Sequence, residues 1–301
     1  MTTSTIPASD APRPLLAGAW MMGAVAAFTS MAVAGRAVSL ELDTFEIMGF
    51  RSLVGIAIVG AVLTRRGMWS RVDLRNRRLH LTRNIAHFTA QNLWFYAIAA
   101  VPLAQVFALE FTSPLWVLVL SPMLLGERLT AARAVAALLG FAGIMLVAQP
   151  GAAPLTWGLG SAAAAAVGFA LTYIFTKKLT AVTQTACILW WMTVTQAVLG
   201  LFFAAIDGDI ALPSAQAMPW IALIGAAGLT AHFCIASALR VAPATVVMPF
   251  DFLRLPVIAV VGLILYEEPV GPMVIAGAAL ILCGNSLNLR AAAQKPRGDG
   301  G

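Results

Sequence analysis

Two acidic residues, Glu110 and Asp251, stand inside apolar stretches of this sequence, where a carboxylate could bind a cation or exchange a proton. Glu110 lies in AVPLAQVFALEF and Asp251 lies in VAPATVVMPFDF, and the two are 141 positions apart. An ionisable group in apolar surroundings is costly, so it marks a functional site by default. We therefore expect these two residues to belong to one site.

Basic side chains accompany both acids. Arg51 lies at about the same predicted depth as Glu110, and Arg254 follows Asp251 by three residues, close enough to pair with it on one face of a helix. Two interpretations remain open. The four residues could form structural ion pairs that offset the cost of each other's burial. Alternatively, at least one of them binds an ionic group of a substrate or exchanges a proton.

Polar side chains in two further segments could complete a small-molecule pocket. His87, Gln91 and Asn92 precede aromatic residues, and His232 lies 141 positions after Gln91. Hydrogen-bonding groups beside aromatic surface are typical of such pockets, although a buried neutral histidine satisfied by a backbone carbonyl is equally ordinary. We interpret Trp94 as lipid-facing or interfacial. The candidate residues for substrate binding or coupling are Arg51, His87, Gln91, Asn92, Tyr96, Glu110, His232, Asp251 and Arg254.

The elements that position these residues must be membrane-spanning helices. The 301 residues are 60% hydrophobic and 11% charged, with a mean hydropathy of +0.87, which a soluble domain of this size could not bury. Continuously apolar segments exclude a lipid-facing barrel, whose strands alternate. A helix needs about 20 apolar residues to span a bilayer. Ten predicted segments cover 14–35, 44–63, 80–100, 103–125, 131–149, 155–176, 183–206, 218–240, 243–266 and 270–290.

The positions of lysine and arginine predict the orientation of these helices, because cytoplasmic loops retain basic residues. With both termini in the cytoplasm, the opposite loops hold only Arg36, beside Asp207 and Asp209. Arg83 falls inside a helix near its cytoplasmic end, where its side chain could extend to the membrane surface. The basic residues assigned to the cytoplasmic side are Arg13, Arg65, Arg66, Arg71, Arg75, Arg77, Arg78, Arg128, Arg133, Lys177, Lys178, Arg240, Arg290, Lys295 and Arg297.

An internal duplication divides the chain into two units of five helices. A shift of 141 residues matches Glu110 with Asp251, Glu127 with Glu268 and Pro102 with Pro243. An odd number of spans forces the second unit to enter the membrane from the opposite face, so the repeats are inverted, as in many secondary transporters. We therefore predict an all-α membrane protein with repeats at 14–149 and 155–290, between disordered cytoplasmic tails at 1–13 and 291–301.

Three further features carry structural expectations. Glu127 and Glu268 are expected to cap the N-terminus of the next helix in the chain. Pro249 and Pro256 are expected to kink the ninth helix around Asp251 and Arg254, because proline removes intrahelical hydrogen bonds. Small residues in the fifth segment permit close helix contact, either within the chain or in a dimer. These small residues are Ala136, Gly140 and Gly143.

The chain resembles the EamA-type members of the drug/metabolite transporter superfamily. The resemblance covers about residues 14–290 and rests on Phe50-Arg51, on FTSPL followed by Gly126-Glu127, and on PFDFLRL followed by Glu267-Glu268-Pro269. It implies ten helices in two inverted repeats and transport of polar organic metabolites, with a pattern similar to the branch that includes S-adenosylmethionine and riboflavin uptake proteins. Glu110 departs from the family pattern, which has a small or polar residue there.

These observations predict a secondary transporter in the bacterial inner membrane that moves a small polar organic metabolite by alternating access, with possible proton coupling. The metabolite could be an amino acid, a nucleoside derivative, a vitamin or an organic anion. The alternatives are a facilitative exchanger without ion coupling, a membrane enzyme, or a scaffold or receptor. No nucleotide-binding loop or zinc motif is present in the sequence, so we expect no cofactor, metal or nucleic-acid partner. The sequence leaves monomer and homodimer open.

Overall fold

A computed structural model describes residues 13–38, 41–100, 106, 109–148, 156–206, 210–266 and 272–293. Within these ranges the chain is helical, with no β-strand. Ten α-helices of 13 residues or more lie in the described ranges: α1 (Pro14–Val38), α2 (Thr44–Arg65), α3 (Arg77–Ala100), α4 (Ser113–Leu125), α5 (Ala131–Ala148), α6 (Trp157–Val182), α7 (Thr185–Ala204), α8 (Met218–Val241), α9 (Arg254–Tyr266) and α10 (Pro272–Ala293).

Five of the described helices, α1, α2, α6, α7 and α8, are long and apolar enough to cross a membrane. The others are shorter or, like α3, carry more polar residues. The predicted tails lie mostly outside the described residues, as do Pro102, Asp207, Asp209 and Glu268.

The two helices that carry the acids are interrupted beside them. Glu110 is followed by a turn at Phe111 and Thr112 before α4 begins. In the second half, the short helix Ala244–Val247 leads into the 3₁₀ segment Met248–Leu253, which contains Asp251 and ends where α9 begins. Pro249 lies inside this segment, where the missing N–H favours a departure from α-helical geometry. Both acids therefore lie at breaks in the helices.

The helices pack in a symmetric pattern. The four most extensive pairings among the described helices are α1 with α8, α3 with α6, α2 with α7 and α5 with α10. When each helix is exchanged for the one five places along the chain, the first two pairings interchange and the last two return to themselves. The two halves therefore make equivalent contacts with each other.

Close packing of α5 against α10 shows the same relationship at the level of single residues. A Cβ atom at Gly143 would lie 2.6 Å from the carbonyl oxygen of Gly277, and one at Gly284 would lie 2.7 Å from that of Ala136. These two contacts interchange under the 141-residue shift. Glycine is required because any side chain would collide with backbone. The small residues of α5 thus serve packing inside the chain.

Several chain segments predicted to be cytoplasmic meet at one end of the bundle. The Arg13 backbone N–H donates to the Val241 carbonyl at 3.0 Å. The Arg240 guanidinium donates to the Thr183 carbonyl at 2.8 Å. These bonds join the start of α1, the end of α8 and the connection between α6 and α7.

Lys177 and Lys178 lie within α6, which continues to Val182, and not in a loop as predicted. The Lys177 ammonium group donates to the carbonyl of Leu239 at 2.5 Å and to that of Ala242 at 2.8 Å. These carbonyls lie at the end of α8, where helical partners are missing, and a cation there is favourable. Lys177 is therefore a capping residue for a neighbouring helix.

Glu127 caps a different helix from the one predicted. Its carboxylate accepts hydrogen bonds from the backbone N–H of Ala244 at 2.9 Å and of Thr245 at 3.0 Å, and from the Thr245 hydroxyl at 2.9 Å. It caps the short helix of the second half, across the bundle, and not the next helix along the chain. The counterpart contact of Glu268 lies outside the described residues.

Candidate functional site

A cavity with about 520 Å³ of empty space, its opening included, lies between the two halves of the chain. Helices α1, α2, α3, α6, α8 and α9 and the segment before α4 all contribute to its wall. Aromatic rings make up one part of the lining, and charged or hydrogen-bonding groups the other. The lining residues are Phe28, Met31, Arg51, His87, Gln91, Trp94, Glu110, Phe169, Thr172, Tyr173, His232 and Arg254.

Arg254 joins the two acids. A guanidinium nitrogen lies 2.5 Å from Glu110 Oε1 and 3.4 Å from Asp251 Oδ2, and all three side chains are buried. The second Glu110 oxygen accepts a 2.6 Å hydrogen bond from Trp94 Nε1. Asp251 Oδ1 and Arg254 Nε have no hydrogen-bond partner. The structure therefore brings the acids of both halves together around one arginine.

Two aromatic rings hold the Arg254 guanidinium in place. Its central carbon lies 5.2 Å from the Phe28 ring centroid and 4.8 Å from that of Phe111. A desolvated cation over an aromatic face is attracted to it. The orientation of Arg254 is therefore fixed from both the aromatic and the acidic sides.

Trp94, interpreted from the sequence as lipid-facing or interfacial, instead donates to Glu110 and lines the cavity.

Arg51 pairs with an amide and not with an acid. Its guanidinium donates to Gln91 Oε1 at 2.6 Å and contacts Met31 Sδ at 3.7 Å, and only 8% of the residue is exposed. Arg51 Nε is buried without a partner. Among the described carboxylates, none lies within ion-pairing distance of Arg51. Its positive charge is therefore not neutralised by any described side chain.

Arg83 does not extend to the membrane surface, as the sequence led us to expect, because it is only 2% exposed. Its guanidinium donates to Asn84 Oδ1 at 2.9 Å and to Thr176 Oγ1 at 3.2 Å, and lies 3.3 Å from His232 Nδ1. Polar partners on α3 and α6 make burial more favourable than extension to the surface. Arg83 is a site-supporting residue that the sequence analysis missed.

The two histidines from α3 and α8 meet at the cavity wall. The His87 and His232 rings are 4.7 Å apart and nearly perpendicular. Both His87 nitrogens are buried without a hydrogen-bond partner.

Asn92 and Tyr96 do not join the site: the Asn92 amide donates to the Phe88 carbonyl, and Tyr96 is 52% exposed. Neither of these two residues lines the cavity.

A smaller cavity, with about 310 Å³ of empty space, lies between α2, α7 and α8. It shares Arg51 and His232 with the larger cavity, so these two residues stand at the junction of both. Gln196 lines the smaller cavity, and its Oε1 is buried without a partner. The smaller cavity is therefore polar on the side where it meets the larger one.

Helix periodicity could have identified part of what the sequence analysis missed. Arg83, His87 and Gln91 are spaced four residues apart and Trp94 follows three later, so all four lie on one face of α3. Tyr96, five residues after Gln91, turns away from that face. The α6 residues Phe169, Thr172 and Tyr173 also share one face of their helix, but only the rotation of α6 against α3 shows that this face lines the cavity.

Comparisons with known proteins agree with this architecture. The model of the EamA-like transporter family matches residues 15–149 and again 156–290. A riboflavin transporter of Rhizobium johnstonii is 28% identical over 295 residues, which cover 94% of each chain. A riboflavin transporter of Brucella anthropi is 32% identical over 216 residues, 70% of this chain and 75% of that one.

More distant relatives have a different named substrate. An S-adenosylmethionine uptake transporter of Rickettsia bellii is 22% identical over 265 residues, 87% of this chain and 89% of the relative. A solved crystal structure has the same fold, with a TM-score of 0.80 at 17% identity over 92% of this chain and 97% of that one.

Proposed function

This chain belongs to the EamA-like transporter family, and on that premise we propose that it is a secondary transporter that carries a small polar metabolite by alternating access. Its apolar helices and its family make it an integral membrane protein. The names of its relatives point to a transporter and not to an enzyme. We place it in the bacterial inner membrane with both termini in the cytoplasm.

The observation that carries this proposal is the cavity at which Glu110 from the first half meets Arg254 from the second. Two units at 14–149 and 155–290, inverted relative to each other across ten spans, would place such a cavity at their interface. The symmetric helix pairings and the reciprocal glycine contacts of α5 and α10 support that arrangement. Rocking of one unit against the other would then expose the cavity to each side in turn.

The substrate in this proposal contains a planar ring of the flavin class. Two relatives above 25% identity are named riboflavin transporters, and the cavity presents Phe28, Trp94, Phe169 and Tyr173. Aromatic walls with a few placed polar groups favour a ring-bearing ligand. Gln91 and Thr172 line the same cavity and offer hydrogen-bonding groups to polar substituents on the ring.

Proton coupling is assigned to the two carboxylates. Asp251 Oδ1 has no hydrogen-bond partner, and the Glu110 carboxylate has two, Trp94 and Arg254. Protonation of either acid would remove its negative charge and so weaken its hold on Arg254. Such a change could link proton binding to the relative position of the two units. The alternative is facilitated exchange without ion coupling, in which the three residues act as a structural ion cluster.

Flux into proteoliposomes tests these proposals. Purified protein is reconstituted, and uptake of riboflavin and of riboflavin 5′-phosphate is followed with and without an imposed proton gradient, against protein-free vesicles of the same lipid. Saturable uptake of at least one of the two flavins is expected, with accumulation above the external concentration only when the gradient is present. Saturable uptake that is the same with and without the proton gradient would favour facilitated exchange without ion coupling. Absence of flux for riboflavin and for every compound that binds the protein would refute transport.

A further inference from the structure

We infer that the substrate carries a negatively charged group and that Arg51, at the junction of the two cavities, binds it together with His232. The inference rests on the proposed transport function and names the chemistry of the substrate at the same site. The charged group is a carboxylate or a phosphate ester attached to the ring-bearing molecule. A neutral solute is the alternative that the structure disfavours.

Buried positive charge exceeds buried negative charge around the larger cavity. Three arginines, Arg51, Arg83 and Arg254, are buried in or beside the larger cavity, against the two carboxylates Glu110 and Asp251. Both carboxylates are held by Arg254. A buried charge without a counter-ion is costly. Because Arg51 lines the cavity and has no described carboxylate partner, a negative group on the ligand is the counter-ion that fits.

Arg51 has N–H donors that are not used within the described structure. A guanidinium has five N–H donors in a planar fork. One terminal nitrogen donates to Gln91, the other makes only the long contact with Met31 Sδ, and Nε has no partner although it is buried. Carboxylate and phosphate groups match such a fork with two parallel hydrogen bonds. Arg51 can therefore take up an anion without giving up its bond to Gln91.

Arg83 determines the tautomer of His232. An arginine can only donate hydrogen bonds, so the 3.3 Å contact of Arg83 with His232 Nδ1 requires an unprotonated Nδ1. The proton of the neutral ring is then on Nε2. Because His232 lines both cavities beside Arg51, we assign this N–H donor to the anion at the junction. Arg83, held by Asn84 and Thr176, is a positioning residue for that donor.

The aromatic part of the larger cavity accounts for the rest of the ligand. Phe169 and Tyr173 line the same cavity as Arg51, so one molecule could place its ring among the aromatic side chains and its anion at the junction. A cationic group placed at the junction would face Arg51 and be repelled.

Matched pairs of neutral and anionic compounds test the inference. Riboflavin is compared with riboflavin 5′-phosphate for the phosphate source, and indole-3-acetamide with indole-3-acetate for the carboxylate source. Binding to detergent-solubilised protein is measured by thermal shift and calorimetry, and flux is measured in proteoliposomes. At least one anionic compound is expected to bind more tightly than its neutral partner by about tenfold, the effect of one charge-assisted hydrogen bond.

Variants assign the effect to the junction. Arg51→Gln is expected to remove the preference for the anion. Arg51→Lys keeps the positive charge and is expected to retain part of that preference. Arg75→Gln removes one positive charge at an exposed site away from the cavity and is expected to change nothing. For the positioning role, Arg83→Leu is expected to weaken anion binding and Arg83→Lys, which can still donate to Nδ1, to restore it.

Two outcomes would overturn the inference. One is equal or tighter binding of both neutral compounds by the wild-type protein, and the other is an anion preference that Arg51→Gln leaves unchanged in folded protein. Either result leaves the transport proposal standing if flux is saturable. Conversely, anion binding that depends on Arg51 but is never followed by flux would refute transport and support the binding site.

Discussion

Glu110 and Arg254, 144 positions apart in the chain, form a buried ion pair with 2.5 Å between Oε1 and a guanidinium nitrogen. Each residue also keeps a contact within its own half of the chain, Glu110 with Trp94 and Arg254 with Asp251. The pair therefore links two local networks. Its disruption should affect both the stability of the bundle and the movement of one half against the other.

Replacement of Glu110 should be more damaging than replacement of Asp251. Glu110→Gln removes the closer charge partner of Arg254, and breaking a buried pair costs about 3 kcal/mol. Asp251→Asn removes a partner at 3.4 Å, so its loss of stability should be smaller. Thermal unfolding in detergent, and flux of the transported flavin in proteoliposomes, check the order. Equal effects, or a larger one for Asp251→Asn, would contradict the network described above.

Arg254→Lys should strongly slow transport although it conserves charge. An ammonium group cannot present a planar face to Phe28 and Phe111 while also reaching both carboxylates, as the guanidinium does. We expect a folded protein whose initial uptake rate is lower by about tenfold or more. Flux per molecule of reconstituted protein measures this. Near-normal flux in the lysine variant would show that only the charge matters.

Glu127→Gln should destabilise the bundle through the lost cap on the short helix of the second half. The change weakens three hydrogen bonds to Ala244 and Thr245, and loss of such a cap costs about 1–2 kcal/mol. Glu41→Gln is the matched control, because Glu41 also accepts two bonds from a distant loop, at Ser214, but in an exposed position. Thermal unfolding should separate the two variants, and identical melting temperatures would argue against the cap.

Gly143→Ala should lower stability, whereas Gly160→Ala should not. A methyl group at Gly143 would lie 2.6 Å from the Gly277 carbonyl oxygen, and nothing lies within 4 Å of the equivalent position at Gly160. Alanine in an open helical position is better than glycine by about 1 kcal/mol. Melting temperatures of both variants in one detergent test this. A neutral Gly143→Ala variant would mean that α5 and α10 can separate without cost.

The sequence predicted the helical character of the described chain, and its five longest apolar helices in particular, because those segments are long, apolar and bounded by polar residues. It also predicted that Glu110 and Asp251 belong together, since the 141-residue offset relates them, and that Arg254 could reach Asp251. These are local or repeat-based relations that need no knowledge of packing. The EamA-like family match is confirmed by the comparison with the family model.

Contacts between helices could not be predicted in the same way. Arg51 meets Gln91 at 2.6 Å, and Glu127 caps a helix 117 positions away. Such contacts depend on the rotation and spacing of whole helices. Trp94 shows the limit most directly, because an aromatic residue in an apolar segment has the same sequence signature whether it faces lipid or donates to a buried acid. Only the packing of α3 decides between the two.

The seam between α5 and α10 has an evolutionary consequence. Gly143 packs against Gly277, and Gly284 packs against Ala136, so α5 and α10 contribute equivalent surfaces to their contact. Contacts of this isologous kind are what two identical subunits make about a twofold axis. A single five-helix ancestor could therefore have formed this seam as a homodimer before gene fusion, and later divergence, as at Glu110 and Asp251, would have acted on an interface that already existed.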